Sequence, residues 1–463
     1  MSRGTALLAA AVVALGGGHR TADAQGVRGW AGTTVQGVEL RPIAAAEGGC
    51  VAAEPCYLPG SKELSLVGTQ DVSLTAWGFG VRGLSATVFV RGRAGLGDAV
   101  WPRSDDHFDA LLAYGQLVRG PWAFRLGRQE IRSGLGFSSF DGGWAERRLG
   151  AARLTVFGGR SLARGLRDPE NEALRGLDDF VPDQGLYLWG GSATTRWRAT
   201  SVGARYQREL LADRSGLASE RASLDANTAF PFARFGASVD WDFGQGRLGK
   251  SQLTATAPIG DGRWLLSATA RRYVPYFSLS TIWGFFEPVA YHEVGARVGW
   301  SASELVGAWA AAGWRRYGDT ETTEVLRALE DTGWRGEAGA AWTVSDVASL
   351  EGRYQLEWVP GGFLSSADAS LRWAVLPDVA LALSGTSFQQ IEQYRLGDGR
   401  ALGAGVSVDA SLTERLSFAG GGSLLRHRAE RDGATSPWNQ SRFWSTLRVR
   451  LGGDPGLANR VSR

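Results

Sequence analysis

The segment EGRYQLEW (351–358) puts Glu351, Arg353, Gln355 and Glu357 on one parity and Gly352, Tyr354, Leu356 and Trp358 on the other. Successive side chains of an extended strand point to opposite faces, so the stretch has one charged face and one apolar face. The pattern recurs. Ala233, Phe235, Ala237, Val239, Trp241 and Phe243 oppose Arg234, Ser238, Asp240 and Asp242. Trp334, Gly336, Ala338, Ala340 and Trp342 oppose Arg335, Glu337 and Thr343, and Phe443, Leu447, Val449 and Leu451 oppose Arg442, Arg448 and Arg450. Helical periodicity is almost absent beyond residue 25, so the chain is read as all-β.

These runs are about 9–12 residues long, where soluble strands average nearer 5–6. Their apolar faces often end in Trp, Tyr or Phe. Trp334 and Trp342 share a face and stand roughly 26 Å apart along an extended strand. A lipid-facing band with aromatic rings at both interfaces has these dimensions. A soluble propeller is disfavoured: there is no blade repeat, and charge occupies the parity where its core would be apolar.

The first residues, MSRGTALLAAAVVALGGGHRTADAQ, combine Arg3, a short apolar run and Ala22-Asp23-Ala24 before Gln25. This reads as a secretory signal peptide over 1–24, followed by one barrel domain over 25–463. No later stretch approaches the ~18 apolar residues of a membrane helix. A net charge of +3 on 463 residues gives no basic footprint for nucleic acid. Cys50 and Cys56 are the only cysteines, close together in a Gly/Pro-rich loop of an exported chain, and are expected to form a disulfide.

Connections alternate in length. Tight ones are read at 77–83, 118–122, 300–305, 343–349, 375–380 and 411–417, and longer polar ones at 41–62, 318–331, 359–366, 390–399 and 427–440. Short periplasmic turns and longer extracellular loops define a transmembrane antiparallel up-and-down barrel of the bacterial outer membrane. The expected strand count is about 18, within 16–20; the turn pattern breaks between 131 and 290.

No catalytic constellation is visible. His107 and His427 read as loop or strand-end residues, and His292 falls on the lipid-facing parity. There is no G-x-S-x-G, H-E-x-x-H or phosphate-binding glycine loop. Asp105, Asp106, Asp109 and the acidic stretch 167–185 match no calcium loop and read as solvated. The chain is therefore read as a non-enzyme without cofactor or metal. The predicted inward parity carries Arg205, Arg234, Glu293, Arg297, Arg335, Glu337, Arg353, Glu357, Arg372, Arg448 and Arg450. Such a wall is either salt-bridged scaffolding or a polar path whose guanidinium groups grip acidic sugars. The aromatic stretch 273–295 reads as a strand end with a dense girdle, or as a loop narrowing the pore with Tyr276, Phe277, Trp283 and Phe285.

Residues 121–160 carry Leu126-Gly127-Arg128-Gln129, then Arg148 and Gly150-Ala-Ala-Arg153-Leu154 leading into Val156-Phe157-Gly158-Gly159. This stretch resembles the strand–loop–strand signature of alginate-export-type outer-membrane barrels. The chain departs from that pattern in placing Phe140-Asp141-Gly142 before the second Arg cluster. The resemblance implies an 18-stranded conduit exporting an anionic polysaccharide through an Arg-rich lumen, with Arg128 facing the pore. The expected partners are outer-membrane lipid and lipopolysaccharide, the polysaccharide, and a separate periplasmic export or copolymerase protein. The alternative is a general or anion-preferring porin for small solutes.

Overall fold

The computed structural model describes residues 26–41, 43–45, 57–59, 61–97, 107–162, 186–212, 216–274, 290–318, 332–359, 362–393, 397–431 and 434–452. Twenty-two of its strands form one antiparallel sheet in which each pairs with the next in sequence. The first strand, Gly26–Leu40, pairs with the last, Ala434–Gly452, from Arg28↔Gly452 to Val38↔Arg442, so the sheet closes. Closure leaves no unpaired edge, as a β-structure immersed in lipid requires. A short hairpin, Ile43–Ala45 with Tyr57–Pro59, stands outside this sheet.

The two parities have opposite environments. Leu126 is 74% exposed, Leu253 62%, Val294 59% and Leu424 69%, all on the outer face. Large apolar side chains open to the surroundings over a whole barrel belong against hydrocarbon. Trp rings mark both rims of this belt. Trp314 and Trp334 pack with centroids 6.4 Å apart toward the long-loop end, and Trp264 and Trp300 6.0 Å apart toward the short-turn end. Ala338, Tyr354 and Trp358 lie on the outer parity with Trp334.

The count of 22 corrects the expected 18. The reason lies between Trp122 and Tyr273, where nine strands are packed. Extracellular connections there are as tight as periplasmic ones: residues 134–135 join Trp122–Ser133 to Gly136–Leu149, and 243–246 join Arg234–Asp242 to Arg247–Ile259. A reading that waits for a long loop on one side passes over such hairpins. Three expected loops also prove to be mostly strand. Gly362–Leu376 begins within 359–366, Val379–Gln393 and Gly397–Ser411 reach into 390–399, and Leu416–Arg431 and Ala434–Gly452 consume most of 427–440. These strands have 15–19 residues, beyond the 9–11 that cross a bilayer. Residues 1–24, Cys50, Cys56, the stretch 167–185 and the aromatic positions 276, 277, 283 and 285 lie outside the described residues.

Candidate functional site: the inner wall and an inward hairpin

Five consecutive strands, Trp264–Tyr273, Tyr291–Ser301, Val306–Tyr317, Thr332–Ser345 and Ala348–Val359, carry the densest inner-wall chemistry. Register alone sets Arg271 opposite Glu293, Glu293 opposite Arg315, and Arg335 opposite Glu357. Glu293, with a side chain 3% exposed, accepts from Arg271 at 3.1 Å, Arg315 at 2.6 Å and Arg335 at 2.9 Å. Arg315 also pairs with Glu357. Three guanidinium groups here meet two carboxylates. Tyr291 lies beneath both Arg271 and Arg315, 5.6 and 5.1 Å from its ring centroid. Tyr273 and Tyr317 flank that ring at 5.2 and 5.6 Å, so the charged row continues outward as a tyrosine row.

Below this cluster the wall holds a recess of about 280 Å³ lined by Arg271, Glu293, Arg297, Arg335 and Glu337 among others. Arg297 stacks over Trp309 at 4.0 Å. Such stacking occupies the face of the guanidinium and leaves its N–H edge for a planar anion. A second recess, of about 600 Å³, lies at the short-turn end and is lined by Arg372, Asp409 and Arg448 among others; Arg448 also covers Trp30 at 4.8 Å.

Arg205, Arg234, Glu293, Arg297, Arg335, Glu337, Arg353, Glu357, Arg372, Arg448 and Arg450 all stand on the inward parity. Several are engaged: Arg205 pairs with Asp225, and Arg353 reaches Asp368 at 3.2 Å. Arg128 does not share that parity. It lies on the face of Phe124 and Leu126, in register with Asp141, which it grips at 2.8 Å with both Nε and the second guanidinium nitrogen. The Arg128–Asp141 pair lies immediately on the tip side of Gly127 and Gly142, register partners themselves. The expectation that Arg128 faces the pore came from the resemblance, not from the local alternation, which puts Arg128 with Leu126.

The sequence reading also missed an element inside the lumen. Phe140, Ser161, Leu186 and Leu211 form one register row across four strands. Ser138 lies two residues beyond that row and Gln207 four residues below it, so a flat wall would hold them about 24 Å apart. Instead Gln207 Nε2 donates to Ser138 Oγ at 2.9 Å. Arg221 likewise donates to the Leu135 carbonyl at 3.1 Å, and Arg221 is itself paired with Asp240. The tip of the hairpin 122–149 is therefore folded over the inner wall. Beneath it lie Phe140, Leu186 and Leu188, each at most 1% exposed, with Leu135 at 5%.

Glycines make the crease. Gly127, with φ of +123°, Gly142 and Gly159 are register partners across three strands. A Cβ on Gly142 would collide with the Gly158 carbonyl, and one on Gly159 with the Asp141 carbonyl. Only glycines permit backbones to approach this closely. Among the described residues no group of three or more His, Cys, Asp or Glu side chains is placed to hold a metal. His292 lies on the outer parity, and His427 sits within a strand, stacked on Trp438 at 4.4 Å.

A closed antiparallel barrel with an apolar outer belt, aromatic rims and a charged interior is a bacterial outer-membrane β-barrel. No family model and no curated protein matches the chain. Solved structures do. A ferric enterobactin receptor of Pseudomonas aeruginosa superposes with a TM-score of 0.57 at 11% identity, covering 91% of this chain and 81% of the receptor. The siderophore receptor PirA of the same organism gives 0.50 at 12% identity, over 94% and 81%. A BenF-like porin of Pseudomonas fluorescens gives 0.43 at 9% identity, over 93% and 99%. At these identities the likeness is one of fold.

Proposed function

We propose that this barrel is an anion-preferring porin, a passage for small carboxylated solutes such as sugar acids. The observation that carries the reading is the recess beside Arg297. Its guanidinium is stacked on Trp309, and Arg335 and Arg271 border the same space. A carboxylate docks there against a planar N–H edge. The site is shallow and wet, so binding is brief, as passage requires. The folded-in hairpin narrows one side of a lumen that 22 strands would otherwise leave very wide. No chemistry is performed.

Planar-bilayer recordings of the purified barrel test this. The wild type should pass anions in preference to cations and show transient block by glucuronate. Arg297→Gln should reduce both the preference and the block. A cation-selective wild type, or an unchanged block in the variant, refutes the reading.

The breadth of the lumen supports a second reading, export of an anionic polysaccharide. That reading expects Arg353→Glu with Arg448→Glu to abolish surface polymer in a producing strain while the barrel assembles normally; the porin reading expects polymer to be unchanged.

A further inference from the structure

Alternation assigns Phe124 and Leu126 to the outside of the hairpin 122–149, and both are exposed there. Arg128, Glu130 and Arg132 continue that parity, with Asp141, Ser139 and Phe137 as their register partners, and the ladder runs through the crease without a register shift. The opposite parity carries Gln129, Ser138 and Phe140, each at most 2% exposed. Ser138 accepts from Gln207, and Arg221, the register partner of Gln207, donates to the Leu135 carbonyl. Gln207 shares the inward parity of Arg205, and a Cβ on Gly134 would lie 3.7 Å from the Arg205 guanidinium. The lumen-side parity of the tip is therefore pressed onto the lumen side of the wall. A sheet folded onto its own inner face turns its other face inward, because successive side chains keep alternating. Beyond Gly127 the parity that meets lipid lower down meets the lumen.

Side-chain environment agrees with that reversal. The Arg132 side chain is 74% exposed and that of Asp141 41%. Ser139, on the same parity, is buried at the neck, where Leu162 N donates to its carbonyl at 2.9 Å. Arg132 lies over the Phe137 ring at 5.6 Å and pairs with Glu130 at 3.3 Å. The ring takes one face of the guanidinium and leaves its N–H edge in water. An ion pair this open is weak, so a solute carboxylate can replace Glu130 on that edge. The arrangement repeats that of Arg297 over Trp309, on a different element.

We infer that Arg132, held over Phe137 on the lumen-facing side of the folded tip, is a further anion-contact residue of the passage and sets its charge selectivity together with Arg297. The inference rests on the reading of the barrel as an anion-preferring porin, and its solute is the same class, a small carboxylate. The tip hangs from the long-loop end, whereas the Arg297 recess lies nearer the short turns. A solute arriving from outside therefore meets Arg132 first. A fixed positive charge at that point draws anions into the path and repels cations from it.

Cysteine substitution reads the facing and the charge separately. Planar-bilayer currents of the purified Arg132→Cys and Gln129→Cys barrels are recorded before and after two methanethiosulfonate reagents, one adding a trimethylammonium group and one a sulfonate, with the wild type as baseline. Arg132→Cys should lower the anion-to-cation permeability ratio about twofold. The sulfonate adduct at 132 should lower it further, and the trimethylammonium adduct should restore it toward the wild type. Gln129→Cys, beneath the tip, should not react. An unreactive Arg132→Cys, or equal reaction at both positions, overturns the reversed facing. A reactive Arg132→Cys whose two adducts give the same ratio overturns the role in selectivity, since a merely structural residue would not sense the sign of the adduct. Should Gln129→Cys not fold, the two adducts at 132 still decide. A wild type that prefers cations refutes the porin reading itself; one that prefers anions and is indifferent to the charge at 132 refutes this inference alone.

Discussion

Glu293→Gln should destabilise the barrel by about 3 kcal/mol, and the structure sets both the size and its distribution. Glu293 and its partners Arg271 and Arg315 have side chains only 3%, 17% and 12% exposed. Removing one member of a buried ion pair costs about 3–5 kcal/mol, because the other charge is left without compensation. Two features pull the value to the low end. Arg315 keeps Glu357, so it is not orphaned. Arg335 is 43% exposed and faces the lumen, and an ion pair that wet contributes about 0–1 kcal/mol. The loss should therefore fall on Arg271 and Arg315. Urea unfolding from lipid vesicles, followed by tryptophan fluorescence and gel mobility, measures it. In double-mutant cycles, coupling of Glu293 to Arg315 should be about 2 kcal/mol and coupling to Arg335 below about 1 kcal/mol. A total loss under about 1 kcal/mol, or equal coupling to both arginines, would mean that lumen water screens the whole cluster, and the argument from burial would fail.

Two other perturbations read the wall directly. Ala338→Arg, on the outer parity near mid-strand, should cost about 2–4 kcal/mol in the bilayer, whereas Ala341→Arg, on the inward parity opposite Glu351, should be nearly neutral; similar losses at both positions would refute the facing. Gly339 is unsuited as the inward control, since a Cβ there already crowds the Trp309 ring at 2.7 Å. Gly159→Val should open the crease, free the hairpin tip from Gln207 and Arg221, and raise single-channel conductance while the barrel still assembles. A conductance equal to that of the wild type would show that the tip does not narrow the path.

What the sequence made legible follows from the period of two. Wherever one face meets lipid and the other water, alternation states the facing of every residue, and Arg297, Arg335, Arg353, Glu357 and Arg448 fall on the face that period assigns. Alternation is silent on which opposite charges meet across strands. That Glu293 gathers three arginines depends on register, which turn lengths and bulges set from far along the chain. Alternation also fails where both faces are dry. Leu186-Tyr187-Leu188-Trp189 is apolar on both parities, which reads as noise in a two-solvent pattern. It is instead the mark of a strand covered twice, by lipid over Tyr187 and Trp189 and by the hairpin over Leu186 and Leu188.

The same physics gives the 121–160 stretch a structural part in the barrel. Its Arg128 is pinned to Asp141 by two hydrogen bonds. Its glycines make the crease. Gly127, Gly142 and Gly159 line up only because three strands bring them into register, and together they let a sheet fold sharply without steric collision. Beyond that line the chain turns from the wall onto its inner face, and Gln129, Ser138 and Leu135 become buried residues. A barrel of 22 strands needs such a device if its bore is to discriminate among small solutes, because wall side chains alone leave the middle of so wide a lumen unread. The tip brings protein to solute there, and its anchors at Gln207 and Arg221 lie on the same inner wall as the arginines that would receive the anion.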